Sequence, residues 1–155
     1  MGQDNHGKAV GCVVIRGEQV LLVRHTYGSA KGKLLIPGGY VQVGEMPEDA
    51  AMREVLEETG VVAEPRDILC VRFKPDDWYI TFRMNHVSGE PRTDGSENSQ
   101  AMFLDIDEAV RREDITEFSR VIIGSCTAPG LRQHSYRPQT NAPSSYTVYG
   151  LDYLD

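Results

Sequence analysis

Acidic residues at fixed spacing in one short segment could bind a metal ion. The segment holds Glu45, Arg53, Glu54, Glu57 and Glu58. If it is helical, at about 100° per residue, Glu54, Glu57 and Glu58 share one face. Like charges this close repel each other, and Arg53, one turn before Glu57, offsets only part of the repulsion. A hard divalent cation such as Mg²⁺, which takes oxygen ligands, could neutralise the rest.

The same segment carries the signals of a helix that would position these acids. Pro47 suits a first helical turn, and Glu48 and Asp49 favour the positive N-terminal end. Gly60 is a natural C-terminal cap. The face opposite the acids can bury against a core. It carries Met52, Val55, Leu56 and Thr59.

The spacing from Gly39 to Val61 is G-x5-E-x7-R-E-V-x-E-E-x-G-V. It resembles the signature box of the Nudix hydrolases at every defined position. The alternative is a solvated acidic helix face, the ordinary meaning of a charge run. That alternative explains neither the glycines nor Glu45, nor the segregation of the acids from an apolar face. We therefore interpret the segment as a metal site.

The resemblance implies a fold and a chemistry. The fold is of the α/β class, a Nudix-type α/β/α sandwich with a mixed central sheet and an irregular C-terminal tail. Nudix enzymes hydrolyse a nucleoside diphosphate linked to another moiety, by water attack on phosphorus. Bound Mg²⁺, with Mn²⁺ as an alternative, neutralises charge, polarises a phosphoryl oxygen and lowers the pKa of coordinated water.

The resemblance also implies a set of metal ligands. Glu54 and Glu58 match direct ligands, one turn apart, and the Gly38 carbonyl matches a further ligand. Glu57 is a third ligand or a holder of water. Family members commonly carry a glutamate where this chain has Gln42, so the number of metal ions stays open.

Other roles follow from the same resemblance. Arg53 and Glu45 are expected to form the pair that braces the helix to the preceding loop. Substrate contacts are expected at Arg24, which ends a predicted strand, and at Gly38 and Gly39. The alternative for Arg24 is a solvated arginine at a strand end. The glycines predict a sharp, irregular backbone and close approach of other groups.

A general base is needed to take the proton of the attacking water. Many relatives carry it on the loop that precedes the strand ahead of the last helices. Glu97 matches the first acid of that loop pattern, and Gln100 replaces the second. We expect Glu97 to be the base, on a polar loop free to close over substrate. A solvated loop glutamate is the alternative, and the base would then be Glu57.

Periodicity and turn signals predict the remaining elements. The expected strands are 8–15 and 20–25, which form a hairpin, and 67–73, 78–87 and 101–106. A short helix follows Asp105, and a final helix covers 115–126. The alternation in 78–87 places Trp78 in the core. The inner stripe of the final helix is predicted to be Phe118, Val121, Ile122 and Ser125.

The predicted Nudix domain covers roughly 1–126, and 127–155 forms an extension of different composition. The extension contains Pro129, Pro138 and Pro143, with Tyr136, Tyr146, Tyr149 and Tyr153. Its prolines argue against helix, and its apolar content argues against full disorder. Residues 145–151 could form an edge strand or lie across a dimer partner, and the tail could equally lie on its own domain. We expect a homodimer to which 127–155 contributes.

Composition excludes several classes of function. The net charge of −7 does not favour broad nucleic-acid binding, although a small phosphorylated nucleotide remains a suitable substrate. No apolar stretch is long enough to span a membrane, and none resembles a signal segment. Cys12, Cys70 and Cys126 show no metal-ligand spacing and no disulfide framework. A reducing cytoplasm is therefore expected.

The sequence leaves the substrate open. Three hypotheses stand: hydrolysis of ADP-ribose or a nucleotide sugar, hydrolysis of damaged nucleoside triphosphates with release of pyrophosphate, and a non-catalytic nucleotide sensor. ADP-ribose-cleaving relatives tend to carry a proline beyond the signature, as Pro75 does here. Tyr27, Trp78 and Tyr79 are the candidates for stacking on a base.

Overall fold

The computed structural model describes residues 7–136 and 146–151. The strands are β1 (Lys8–Arg16), β2 (Gln19–His25), β3 (Leu34–Leu35), β4 (Gly38–Tyr40), β5 (Val62–Lys74), β6 (Asp77–Ser88), β7 (Asn98–Asp105), β8 (Leu131–Tyr136) and β9 (Tyr146–Tyr149). The helices are α1 (Pro47–Thr59), α2 (Ile106–Arg111) and α3 (Glu117–Gly124). The predicted hairpin and signature helix are confirmed.

The strands form a mixed sheet in the order β3-β2-β1-β6-β5-β8-β9. β1 runs parallel to β6 and antiparallel to β2. β1 and β2 pair beside their turn, at Ile15 with Val20, and then separate. The chain that follows enters the gap, where β3 pairs with β2 and β4 pairs with β1. This separation brings the glycine-bearing strand β4 against α1.

Helices cover both faces of the sheet. On one face, Val10 and Cys12 of β1 are buried in one cluster with Val55 of α1. On the other face, Val13 is buried in a cluster with Ile122 of α3. Side chains of a strand point alternately to the two faces, so β1 must be apolar between its ends, as residues 9–15 are. The α/β/α sandwich is confirmed.

Two predictions about the core are wrong. Trp78 is 55% exposed and lies edge-on against Phe73, its partner on β5, because β6 begins at the exposed turn of its hairpin with β5. In α3, Ile122 is buried as predicted, whereas Phe118, Val121 and Ser125 are exposed. The buried stripe is Ser119, Ile122 and Ile123. Burial of Ser119 is tolerated because its hydroxyl accepts a hydrogen bond from the Ile36 backbone N–H at 3.1 Å.

The described part of 127–155 lies on the same domain. β8, which the sequence analysis did not predict, pairs with β5, and β9 pairs with β8 inside the segment expected to form an edge strand. The Tyr149 hydroxyl donates to Glu48 of α1 at 2.8 Å. Pro138, Pro143 and Tyr153 lie outside the described residues. The boundary at residue 126 stays a prediction.

A buried ion pair joins this extension to the sheet. The Arg83 guanidinium donates to Asp67 Oδ1 at 2.9 Å and to the carbonyl of Ala128 at 2.8 Å, and both side chains are buried. The arrangement satisfies two buried charges at once. None of the helices in the described part of the chain has both the length and the apolar character needed to cross a membrane.

Candidate active site

Helix α1 presents its acids differently from the prediction. Glu58 is buried, with 6% of its surface exposed, whereas Leu56 on the predicted inner face is half exposed. Glu54 is largely buried and Glu57 is 59% exposed. The helix is therefore rotated so that Glu58 lies inside. The helix end is as predicted, since Gly60 has φ +71° and donates to the Leu56 carbonyl at 2.9 Å.

The glycines of β4 have a steric role. Neither Gly38 nor Gly39 has a positive φ, and both are paired with β1, so the predicted irregular backbone is wrong. The expected close approach does occur. A Cβ on Gly39 would overlap the Glu54 carboxylate, and a Cβ on Gly38 would overlap the Val10 carbonyl. Glycine is needed here because the Glu54 side chain occupies the space that any other residue would fill.

Glu58 is the acid whose environment departs most from water. Burial is the main reason that its pKa rises to about 8, and the charge of Glu54 raises it further. A hydrogen bond from the backbone N–H of Gly38 acts in the opposite direction. Burial also raises the pKa of Glu54, while Arg53 lowers it. Two buried carboxyl groups that repel each other are typical of a site that binds a cation.

Arg53 is the hub of the acidic cluster. Its guanidinium donates to both oxygens of Glu45, at 2.8 and 2.9 Å, and to the Tyr40 carbonyl at 3.1 Å. It also donates to Glu54 at 2.9 Å and to Glu57 at 3.2 Å. The hydrogen bonds from Arg53 are the main cause of the lowered pKa of Glu45. The pair ties α1 to the loop after β4, where the sequence analysis expected a brace.

The proposed metal ligands fit a cation but are not gathered around one point. Across residues 7–136 and 146–151, no three His, Cys, Asp or Glu side chains come close enough together to hold a metal ion. Like-charged carboxylates separate unless a cation joins them. Here Glu54 and Glu57 both turn toward Arg53, while Glu58 accepts from Gly38. The donor set of carboxylates next to the backbone of β4 suits a hard divalent cation.

The loop that carries Glu97 faces this cluster. After burial, which has the larger effect, and the charges nearer to each group, the charge of Glu97 also raises the pKa of Glu54 and Glu58. A loop free to close over substrate was expected, but hydrogen bonds hold this loop in place. The Glu97 carbonyl accepts from the Thr26 backbone N–H at 3.1 Å and from its hydroxyl at 3.0 Å. Buried Asn98, which the sequence analysis missed, holds the other side of the loop.

Arg24 is engaged by the protein itself. Its guanidinium donates to Gln100 at 2.6 Å, to the Gly32 carbonyl at 2.8 Å and to Asp114 at 3.0 Å. These bonds tie β2 to β7 and to the chain between α2 and α3. Its expected contact with substrate phosphate stays a prediction.

A cavity of about 260 Å³ opens beside Gly38 and Gly39. It is lined mainly by aromatic and polar side chains: His25, Tyr27, Tyr40, Arg72, Asp77 and Tyr79. A larger cavity, about 770 Å³, is lined by α2 and the β1–β2 turn and contains none of the predicted site residues. The position beside the signature, rather than size, therefore selects the smaller cavity as the candidate binding pocket.

Comparison with known proteins identifies this arrangement. The family model described as NUDIX domain matches residues 5–124, which include β1, β4, α1 and the Glu97 loop. The chain belongs to the Nudix family. Its relatives include an ADP-ribose pyrophosphatase from Methanocaldococcus jannaschii, 31% identical over 104 residues. An NAD-capped RNA hydrolase, NudC, from Vibrio cholerae is 30% identical over 106 residues. The name of the first of these relatives describes an enzyme that hydrolyses a pyrophosphate bond.

The matches are partial in length. The aligned part is 63% of this chain and 61% of the M. jannaschii protein, and 62% of this chain and 37% of the V. cholerae protein. The chain therefore spans less than two thirds of either relative. A Nudix hydrolase structure from Nitrosomonas europaea superposes with a TM-score of 0.70 at 24% identity, covering 77% of this chain and 69% of that one. This likeness supports the fold alone.

Proposed function

We propose that the protein is a Mg²⁺-dependent hydrolase that cleaves the diphosphate of a nucleoside diphosphate linked to another moiety, of the ADP-ribose or nucleotide-sugar type. One observation carries the proposal: Glu58 is buried and Glu54 largely buried one turn apart on α1, and Gly39 leaves room for the Glu54 carboxylate. The similarity to an ADP-ribose pyrophosphatase supports the choice of substrate class.

In this proposal the metal ion, Mg²⁺ or Mn²⁺, is held by Glu54, Glu58 and the Gly38 carbonyl, with Glu57 as a further ligand or a holder of water. The ion would neutralise the diphosphate, polarise a phosphoryl oxygen and acidify a bound water. Glu54 and Glu58 are already largely shielded from water, and binding of the ion would replace the hydrogen bonds that Glu54 and Glu57 accept from Arg53. Glu45 keeps Arg53 fixed while this happens.

Glu97 is the proposed base and would accept the proton of the attacking water at its exposed carboxylate. Its backbone is held between β2 and β7, so little further ordering is needed once substrate binds. Glu57 is the alternative base. Because Glu57 hydrogen bonds to Arg53 and would bind metal, it is the weaker candidate.

The 260 Å³ cavity is the proposed pocket for the group beyond the diphosphate. Tyr27 and Tyr40 are exposed aromatic side chains that can stack on a planar ring. Deeper in the cavity, Arg72 donates to both oxygens of Asp77 at 3.0 Å, which places hydrogen-bond donors next to acceptors. That combination suits the polar edge of a nucleobase. Contact of Arg24 with phosphate would compete with its bonds to Gln100, Gly32 and Asp114.

We further propose a homodimer that acts in a reducing cytoplasm. All three cysteines are free thiols, as that compartment requires. The dimer rests on the expectation that 127–155 contributes to an interface.

The test is a substrate panel with Mg²⁺ in which the phosphate-containing products are identified. ADP-ribose should yield AMP and ribose 5-phosphate, and nucleotide sugars should yield a nucleoside monophosphate and a sugar phosphate. Release of pyrophosphate from nucleoside triphosphates at a kcat/KM higher than that for ADP-ribose would instead favour the hydrolysis of nucleoside triphosphates as the function. Binding of nucleotides without turnover of any of them would identify a sensor and overturn the proposal.

A further inference from the structure

Asn98 is a buried polar residue, and a buried polar side chain needs hydrogen-bond partners. It is the first residue of β7 and only 2% exposed. Its side-chain N–H donates to the Glu58 carbonyl at 2.8 Å. That carbonyl belongs to the last turn of α1, where carbonyl groups lack partners within the helix. Asn98 thus joins the backbone of the buried acid Glu58 to the start of β7.

The loop before Asn98 is built around it. Asp94 Oδ1 accepts from the Ser96 N–H at 2.8 Å and from the Asn98 N–H at 3.1 Å. The Thr93 hydroxyl donates to the Asn98 carbonyl at 2.7 Å and accepts from the Gly95 N–H at 3.0 Å. These bonds make the loop a single compact turn whose position follows that of Asn98.

The opposite side of the turn is fixed to Thr26, the residue that follows β2. The Thr26 hydroxyl donates to the Ser96 carbonyl at 2.8 Å and to the Glu97 carbonyl at 3.0 Å. The turn therefore has two anchors: Thr26, which follows β2, and Asn98, which binds the Glu58 carbonyl of α1. Glu97 lies between them, and its carboxylate is the part left exposed.

We propose that Asn98 is a positioning residue that sets the distance between the Glu97 carboxylate and the acids of α1. The inference rests on the proposed function, in which Glu97 is the base and Glu58 binds the metal. Asn98 is covalently adjacent to Glu97 and hydrogen bonded to the main chain of Glu58. No other side chain described in the structure links these two residues so directly. A displacement of about 1 Å at a reacting group can cost about 10²-fold in rate.

A purely structural role is the competing explanation, since Asn98 also caps the end of α1. The two explanations differ in what they predict at a temperature where the variants are folded. A cap alone lowers thermal stability and leaves turnover unchanged. A positioning residue lowers kcat, leaves KM nearly unchanged, and acts only while Glu97 is present.

The experiment is a double-mutant cycle on the full chain with ADP-ribose and saturating Mg²⁺. Asn98→Leu keeps the branched shape of the side chain and removes its hydrogen bonds, which join Nδ2 to the Glu58 carbonyl and Oδ1 to the Asp94 N–H at 3.3 Å. We expect it to lower kcat about 10- to 100-fold and to change KM less than about threefold. In the Glu97→Gln background the same substitution should change kcat less than about twofold.

Two further variants separate a loss of catalytic geometry from a loss of stability. Thr59→Val removes a buried hydrogen bond at the same helix end, from the hydroxyl to the Val55 carbonyl at 2.6 Å, and touches neither Glu97 nor Asn98. It should lower Tm and leave kcat within about twofold. Asn98→Gln keeps the amide one methylene further out, and should give a kcat between those of wild type and Asn98→Leu. If Asn98→Leu does not fold, Asn98→Gln replaces it in the cycle.

The outcomes separate the inference from the function on which it rests. An equal loss of kcat from Asn98→Leu with and without Glu97 would overturn the positioning role, and so would an unchanged kcat. If Glu97→Gln alone has wild-type kcat, the base assignment and the positioning role both fall. Absence of hydrolysis by the wild-type protein on the whole substrate panel would instead overturn the proposed function.

Discussion

At the scale of single residues, Glu58 has the least favourable position in the candidate site. Its carboxyl is buried and lies near the charge of Glu54, and these two effects raise its pKa to about 8. Both effects oppose ionisation of Glu58, so a charged carboxylate at this position lowers the stability of the fold. A bound divalent cation would reverse the balance by favouring the ionised form.

Gly39 allows the Glu54 carboxylate to lie where it does. We expect Gly39→Ala to lower kcat/KM at least about 10-fold, because a Cβ at this position would push the carboxylate away from the site. The matched control is Gly124→Ala at the end of α3, where a Cβ meets no atom within 4 Å. Steady-state kinetics on both variants is the measurement. Wild-type kcat/KM for Gly39→Ala would show that Glu54 need not lie against β4.

The identity of the acids could be predicted from the sequence, but their burial could not. The spacing of Glu54, Glu57 and Glu58 defines a helix face only to within one residue. Packing of α1 on the sheet then decides that Glu58 turns inward and Leu56 outward. No sequence pattern indicated the role of Asn98, because its partner is a main-chain carbonyl that is distant in sequence.

At the scale of elements, Asp114 joins three parts of the fold. It accepts from Arg112, after α2, at 2.7 and 2.9 Å, and from Arg24 of β2 at 3.0 Å. Its backbone carbonyl accepts from the Leu34 N–H of β3 at 2.7 Å. The hydrogen bonds from Arg112, and after them those from Arg24, hold the pKa of the Asp114 carboxyl well below its usual value.

This arrangement predicts a specific dependence of stability on pH. The folded pKa of Asp114 is lower than its unfolded value of about 3.9, so its contribution is present above that pH and disappears as the pH falls through the folded pKa. The Tm of Asp114→Asn should therefore be lower than that of wild type from pH 5 to 8. The difference should shrink below about pH 4.

Circular dichroism melts across pH 2–8 check this expectation. The control is Asp76→Asn, an exposed aspartate in the β5–β6 turn, whose curve should parallel that of wild type. The side chain of Asp114 is 37% exposed, so added salt should weaken the effect. A Tm difference for Asp114→Asn that persists unchanged at pH 2.5 would contradict the assignment.

Elements with strong local signals were predicted, and those that depend on tertiary contacts were not. Pro47 and Gly60 mark the ends of α1 through local backbone preferences, and the bounds agree with the structure. The strand β8 has no such signal, because it exists by pairing with β5 across a long stretch of chain. The stripe of α3 was displaced by one position because Ser119 is buried through its bond to Ile36.

At the scale of the whole molecule, the sheet ends in the C-terminal extension. β9 is the last strand in the order and packs on α1 through Tyr149 and Glu48. An edge strand offers backbone groups to another chain, so β9 is the part of 127–155 best placed to meet a dimer partner.

We expect the full chain to be a dimer by multi-angle light scattering, and a chain truncated after Tyr136 to be a monomer. The matched control, Tyr149→Phe, keeps β9 and removes only the hydrogen bond to Glu48. It should remain a dimer with a lower Tm. A truncated protein that is still dimeric would exclude the extension from the interface, and a monomeric full chain would exclude the dimer itself.

The central claim is that the buried acids of α1 act through a divalent metal ion. Hydrolysis of ADP-ribose should stop when EDTA removes divalent ions and return with Mg²⁺. Glu58→Gln should lower kcat/KM at least about 10²-fold, or about 2.7 kcal/mol, as the loss of one electrostatic group in an active site usually does. The control is Glu64→Gln, an exposed glutamate on β5, which should behave as wild type.

Measurement of kcat/KM for Glu58→Gln against wild type, with and without Mg²⁺, tests this claim most directly. We expect that wild type needs the metal and that Glu58→Gln stays at least about 10²-fold less active at saturating Mg²⁺. Turnover by Glu58→Gln within a few-fold of wild type, or full activity of wild type in EDTA, would contradict it.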